Sequence, residues 1–156
     1  MLQRAVVRLP ALVENIAAQM RVTYKAGRVE LRVELPADLP PVLIDEEKIG
    51  RVLANLLDNA IKYTPPEGHV TISARQQNGQ VAVMVTDTGP GIPAGERERV
   101  FERFAQVPGE GQKRRGFGLG LTFCRLTVEA HGGTIHVEAG PNDVGSRFVF
   151  TVPAAN

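Results

Sequence analysis

The chain has a single cysteine, Cys124, among its 156 residues. No internal disulfide can form, which fits a reducing compartment, and no metal-ligand cluster can be built around that thiol. Net charge is also scarce: 18 Lys and Arg against 17 Asp and Glu leave +1. Such a balance gives no global field to draw nucleic acid or an acidic membrane, so any anion site must be local. No apolar run approaches the roughly 20 residues of a membrane span, and the amino terminus lacks a signal-peptide pattern. A cytoplasmic location is expected, and a larger, membrane-anchored parent chain is compatible with it. No GxxxxGKS or GxxxxGKT stretch occurs, which excludes a Walker-type NTPase, and there is no internal repeat. What is present is ordinary for a globular protein: 43% hydrophobic and 22% charged residues, in a length suited to one domain with a proper core.

Periodicity then assigns the elements. In residues 9–20, Leu12, Val13, Ile16 and Met20 fall at helical spacing behind Pro10, which predicts a short amphipathic helix. Residues 28–36 alternate Val29, Leu31, Val33 and Leu35 with charged neighbours, the period of a half-buried strand. Asp45, Glu46 and Glu47 open a long helix whose apolar residues run through Val52, Leu53, Leu56, Leu57, Ala60 and Ile61, until Pro65, Pro66 and Gly68 stop it. Two alternating strands over residues 69–87 are joined at Asn78-Gly79, a dipeptide suited to the positive φ of a tight hairpin. "AGERERVFERF" reads as one or two helical turns with Val100, Phe101 and Phe104 inward. Residues 105–115, glycine-rich and basic without any period, read as a mobile loop. A helix follows and ends at Gly132-Gly133, and two last strands flank a Pro-Asn-Asp turn. Helices interspersed with antiparallel hairpins predict a two-layer α+β sandwich, its mixed, mostly antiparallel sheet covered on one face by about three helices.

Three polar groups interrupt this pattern. Asn55, Asn59, Lys62 and Tyr63 line one edge of the long helix, "DTGPG" (Asp87 to Gly91) ends a strand, and "GFGLGL" opens a helix behind a basic loop. Singly, each has a plain explanation: solvated amides, a turn, a close packing point. Jointly they describe a nucleotide site. An amide oxygen such as that of Asn59 is a hard ligand suited to Mg²⁺, Lys62 can add a point charge on the same phosphates, and Tyr63 offers a ring to a base. Asp87 can accept from an exocyclic amine such as adenine's, while Gly89 and Gly91 let backbone approach the ring. Gly116, Gly118, Leu119 and Gly120 put backbone N–H groups at a helix start, where phosphate is stabilised, and Lys113, Arg114 and Arg115 can fold over it.

In these motifs the chain resembles the catalytic ATP-binding domain of bacterial sensor histidine kinases, a branch of the gyrase, heat-shock chaperone, kinase and mismatch-repair ATPase superfamily. "NLLDNAIKYTP" resembles the asparagine box, "DTGPGI" with Ile92 the first glycine box, "FERF" the phenylalanine box and "GFGLGL" the second glycine box, in the family's order. The resemblance implies the Bergerat ATP-binding fold over residues 9–153, with residues 1–8 the remnant of a linker to a dimerisation domain. It implies ATP and Mg²⁺ as ligands, with Asn59 on the metal, Lys62 on phosphate, Tyr63 on the adenine face and Asp87 on its amino group. Ser146 stands where the superfamily often has a threonine that reaches adenine through water. It further implies γ-phosphoryl transfer to a histidine on a separate helical dimerisation domain, which then serves a response regulator; neither nucleic acid nor direct membrane contact is expected.

Two departures stand out. Phe117 takes the place of the usual Thr or Ser in the second glycine box, so phosphate binding there relies on backbone groups. No acceptor histidine is apparent: His69, His131 and His136 read as surface residues of structural kind, so the chain supplies no nucleophile of its own. A dinucleotide enzyme is a poor rival because no strand directly precedes the glycines and Leu121 stands where the third is needed. An ATP-hydrolysing superfamily member and a non-catalytic ATP-binding module remain as alternatives. Against the first stands Asn55, where the superfamily's ATPases carry a glutamate able to take a proton from the attacking water.

Overall fold

Strands whose apolar residues alternate can bury only one face, and the helices must cover that face. The computed structural model of the chain describes residues 1–102 and 120–155. The order is β1 (Ala5–Val7), α1 (Leu9–Ala26), β2 (Glu30–Glu34), β3 (Val42–Ile44), α2 (Glu46–Tyr63), β4 (His69–Gln77), β5 (Gln80–Asp87), α3 (Gly120–Ala130), β6 (Ile135–Ala139) and β7 (Ser146–Pro153). Single 3₁₀ turns occur at Ala94–Glu96, Arg99–Phe101 and Pro141–Asp143. The main sheet runs β2-β4-β5-β7-β6, and β1 and β3 form a separate pair. Only β2–β4 is parallel in the main sheet; β4–β5, β5–β7 and β6–β7 are antiparallel. The architecture is the α+β sandwich expected, with three α-helices among the described residues.

Alternation sets the register. Ile72, Val85, Phe148 and Val137 lie side by side across four strands and are all buried on the helix side. The next residues along each strand, Ser73, Met84, Val149 and His136, face outward. Ala82, Met84 and Val149 form a small apolar cluster there, apart from the main core. The β4–β5 hairpin turns at Asn78 and Gly79, both with positive φ, as the dipeptide predicted.

Several boundaries differ from the sequence reading. Helix α1 continues to Ala26 because Tyr24, one turn beyond Met20, is buried and donates its hydroxyl to the Leu57 carbonyl at 2.6 Å. The β2 strand narrows to five residues. Strands β1 and β3, three residues each, escaped the reading because three residues carry no period; they pair Ala5 with Ile44 and Val7 with Val42. Val100 and Phe101 are buried as expected, with Phe101 edge-on to Phe148 at 6.1 Å between centroids. Phe104 and the 105–115 loop lie outside the described residues. Of the three histidines, His131 is not on the surface: it is 2% exposed at the end of α3. Sequence gave no sign of this, since Gly132-Gly133 beside it suggested an open helix end.

Candidate nucleotide site

Helix α2 starts where Asp45 caps it, its Oδ1 accepting the Lys48 N–H at 3.2 Å, with Glu46 and Glu47 in the first turn. It ends at Thr64, whose N–H and hydroxyl both return to the Ala60 carbonyl at 3.1 and 2.8 Å. The apolar face thus fixed against the core leaves a second edge at the carboxyl end. There Asn59 is 5% exposed, and its Oδ1 has no hydrogen-bond partner among the described residues. A buried acceptor left so costs about 1–3 kcal/mol, and native structures keep few of them. Lys62, on the exposed side, pairs with Asp58 at 3.5 Å. Such a pair between half-exposed groups is worth about 0–1 kcal/mol, so the ammonium can be drawn to a stronger anion. Tyr63 is half-buried and packs against the core.

Strand β5 delivers Asp87 to the same end of the domain. Its side chain is buried, and Oδ1 accepts N–H groups from Gly89 at 2.9 Å and Ser146 at 3.3 Å. Two glycines make this contact sterically feasible. A Cβ on Gly145 would fall 1.8 Å from the Asp87 carbonyl oxygen, and one on Gly89 would fall 2.5 Å from that of Tyr63. The end of α2, the loop after β5 and the start of β7 therefore meet backbone to backbone. Gly91 lies against Gly145, Ile92 packs against the core, and Ser146 is buried. Beneath them, burial and the charges of Asp87 and Asp58 push the Tyr24 phenol above its ordinary range, so it stays a donor to Leu57.

The structure thus gathers Asn59, Lys62, Tyr63, Asp87, Gly89, Gly91, Ile92 and Ser146 at one end of the sandwich. Gly120 opens α3, and among the described residues nothing packs where a side chain would go. Lys113, Arg114, Arg115, Gly116, Gly118 and Leu119 lie outside the described residues. Asn55 is half-buried on α2, beside the Cys124 thiol of α3, whose pKa burial pushes up to about 12. Sequence reasoning missed Gly145, Tyr24 and Cys124. The spacing Ile16, Met20, Tyr24 carried a signal for the second, and nothing local marked the other two.

Residues 44–156 match the family model described as "Histidine kinase-, DNA gyrase B-, and HSP90-like ATPase". The chain belongs to this ATPase family. Within it, the relatives are kinases. The adaptive-response sensory kinase SasA of Rippkaea orientalis is 44% identical over 146 residues, covering 93% of this chain and 37% of its own length. Among solved structures, full-length ShkA in complex with AMPPNP superposes with a TM-score of 0.87 at 31% identity, over 100% of this chain and 32% of that one. The catalytic domain of histidine kinase ThkA gives 0.85 at 28% identity, covering 98% of this chain and 97% of its own. ThkA in complex with the response regulator protein TrrA gives 0.80 at 25% identity, over 97% of this chain and 42% of that chain. This ATPase-family chain is therefore a histidine kinase ATP-binding domain, and it spans little more than a third of the curated relative. Among the described residues no helix is long and apolar enough to cross a membrane.

Proposed function

We propose that the domain binds Mg-ATP at the Asn59–Asp87 end and transfers the γ-phosphoryl group to a histidine on a separate helical dimerisation domain, joined to residues 9–153 through residues 1–8. A response regulator would be the downstream partner. The observation that carries this reading is the buried Asn59 Oδ1 with no partner among the described residues, on the same helix end whose Tyr63 carbonyl meets Gly89 beside Asp87. An orphaned amide oxygen fits a hard, oxygen-seeking cation such as Mg²⁺, which usually keeps waters and phosphate oxygens as its other ligands. When bound, the cation would neutralise charge on the β- and γ-phosphates.

The chain's own residues supply positioning. Asp87, its Oδ1 accepting from the Gly89 and Ser146 N–H groups, is the acceptor for the adenine amine; Tyr63 flanks the ring. Lys62 exchanges Asp58 for phosphate. The attacking atom is a ring nitrogen of the partner's histidine: the N–P bond forms as the bond from γ-phosphorus to the bridging oxygen breaks, and ADP leaves. Such a reaction needs alignment and charge neutralisation more than covalent help, which suits a domain without its own nucleophile. Asn55, a neutral amide, has no basic lone pair with which to activate water.

The test is a titration of ATP with and without Mg²⁺, followed by incubation of the loaded domain with a helical acceptor domain carrying a histidine. Binding strengthened by Mg²⁺ and acid-labile phosphate on the added domain are expected. Acid-labile phosphate on His69, His131 or His136 instead, or no binding of ATP, would refute the reading.

A further inference from the structure

The two helices that reach the nucleotide end also share their far ends. Asp45, just before α2, donates its backbone N–H to Nε2 of His131, just after α3, at 3.0 Å. The other ring nitrogen, Nδ1, lies 2.8 Å from the Thr127 carbonyl oxygen. Since Nε2 accepts, Nδ1 must carry the proton and donate to Thr127, so the buried ring is neutral and both nitrogens are used. Further along, Cys124 Sγ meets the Val52 carbonyl at 3.8 Å and the Arg51 guanidinium stacks 4.4 Å from the centre of the Phe123 ring. Helices α2 and α3 are therefore antiparallel neighbours, pinned at one end by His131. The amino-terminal segment fastens to both sides of the pin: the Gln3 N–H donates to Asp45 Oδ2 at 2.9 Å, and Arg4 Nη2 to the Ala130 carbonyl at 3.0 Å.

From the pin, α2 is an unbroken rod of 18 residues, about 27 Å long. A small rotation about its start is magnified at Asn59 and Lys62. We infer that His131 is a positioning residue for the phosphates of the nucleotide: by holding the start of α2 against the end of α3, it sets how far Asn59 and Lys62 stand from Gly120 at the opposite ends. The inference deepens the reading of the site as an ATP site and rests on it. The adenine end depends less on the pin, because Asp87 and Ser146 are held by the central strands β5 and β7 and only Tyr63 reaches the base from α2.

Two substitutions separate the pin from simple packing. His131→Asn keeps a donor near the Nδ1 position for Thr127 but loses the atom that reaches Asp45. His131→Gln restores an amide oxygen near the Nε2 position. The full chain would be titrated by calorimetry with adenosine and with a non-hydrolysable ATP analogue plus Mg²⁺. For His131→Asn, analogue affinity should fall about tenfold and adenosine affinity less than about twofold, with His131→Gln recovering most of the loss. Equal losses for both ligands, or no loss for either, would overturn the role. Should the variants not fold, exchange of the Asp45 amide hydrogen in the unaltered chain decides, because coupling is reciprocal. The analogue should slow it and adenosine should not; identical behaviour with both ligands would overturn the inference. Failure of the unaltered chain to bind the analogue would instead remove the nucleotide reading beneath it.

Discussion

Replacing Asp87 with Asn tests the adenine end of the site with little disturbance of the fold. The two acceptor bonds of Oδ1, to Gly89 at 2.9 Å and Ser146 at 3.3 Å, are both to backbone N–H groups, and an amide oxygen can keep both. Losing the charge weakens them, since charge-assisted bonds are about twice as strong as neutral ones, so a stability loss of about 1 kcal/mol is expected. The contact to adenine changes more. A carboxylate oxygen that accepts from the adenine amine becomes an NH₂ that can only donate, and donor then faces donor. Loss of a hydrogen bond to a charged group is worth about 1.5–3 kcal/mol, so ATP affinity should fall about ten- to a hundredfold. The same NH₂ matches the carbonyl that guanine carries at that position, so the preference for ATP over GTP should narrow or reverse. Competitive displacement of a fluorescent nucleotide by ATP and by GTP, alongside thermal melts of both proteins, measures each quantity. If Asp87→Asn binds ATP within twofold of the unaltered domain, or if the unaltered domain does not distinguish ATP from GTP, Asp87 does not read the base.

Asn59→Ala should remove the strengthening of ATP binding by Mg²⁺ while leaving the melting temperature equal or slightly raised, because it deletes a buried oxygen that lacks a partner among the described residues; a large drop in stability would show that the amide serves the core instead. Phosphate release by the unaltered domain should be slow in a steady-state assay, and Asn55→Glu should raise it at some cost in stability, since the carboxylate would lie against the buried Cys124 thiol; brisk turnover before substitution would make the domain a hydrolase. The Gln3 N–H, opposed by burial and joined by the Lys48 N–H, holds the Asp45 carboxyl below its ordinary range. A depressed folded-state pKa contributes stability that is present above the unfolded value and lost as pH falls through the folded one, so Asp45→Asn should flatten the acid limb of a stability–pH curve by lowering its neutral plateau while leaving its acid end nearly unchanged. An acid limb of unchanged slope would argue against this.

Much of the architecture was decided by neighbours close in sequence. The amphipathic spacing of α2, its acidic first turn and its Pro-Pro stop, the Asn78-Gly79 hairpin and the two glycines after α3 each depend on a few adjacent residues, so they were legible in the chain. The polar edge of α2 and the Asp87–Gly91 stretch could be marked as exceptions for the same reason: a polar residue at a core-facing period is visible without knowing its partners. Tertiary structure alone decided the rest. Whether β2 ran parallel to β4, and whether residues 5–7 and 42–44 would pair, depended on a loop closure with no local signature. The anchoring of Asp87 by Ser146, 59 residues away, needed Gly145 to admit the backbone approach, and a glycine in a turn announces freedom without naming its neighbour. The burial of His131 depended on the Asp45 N–H, 86 residues distant, reaching its ring. A ring nitrogen that is only a polar atom in the sequence becomes an acceptor when packing removes water from around it and supplies one donor in its place.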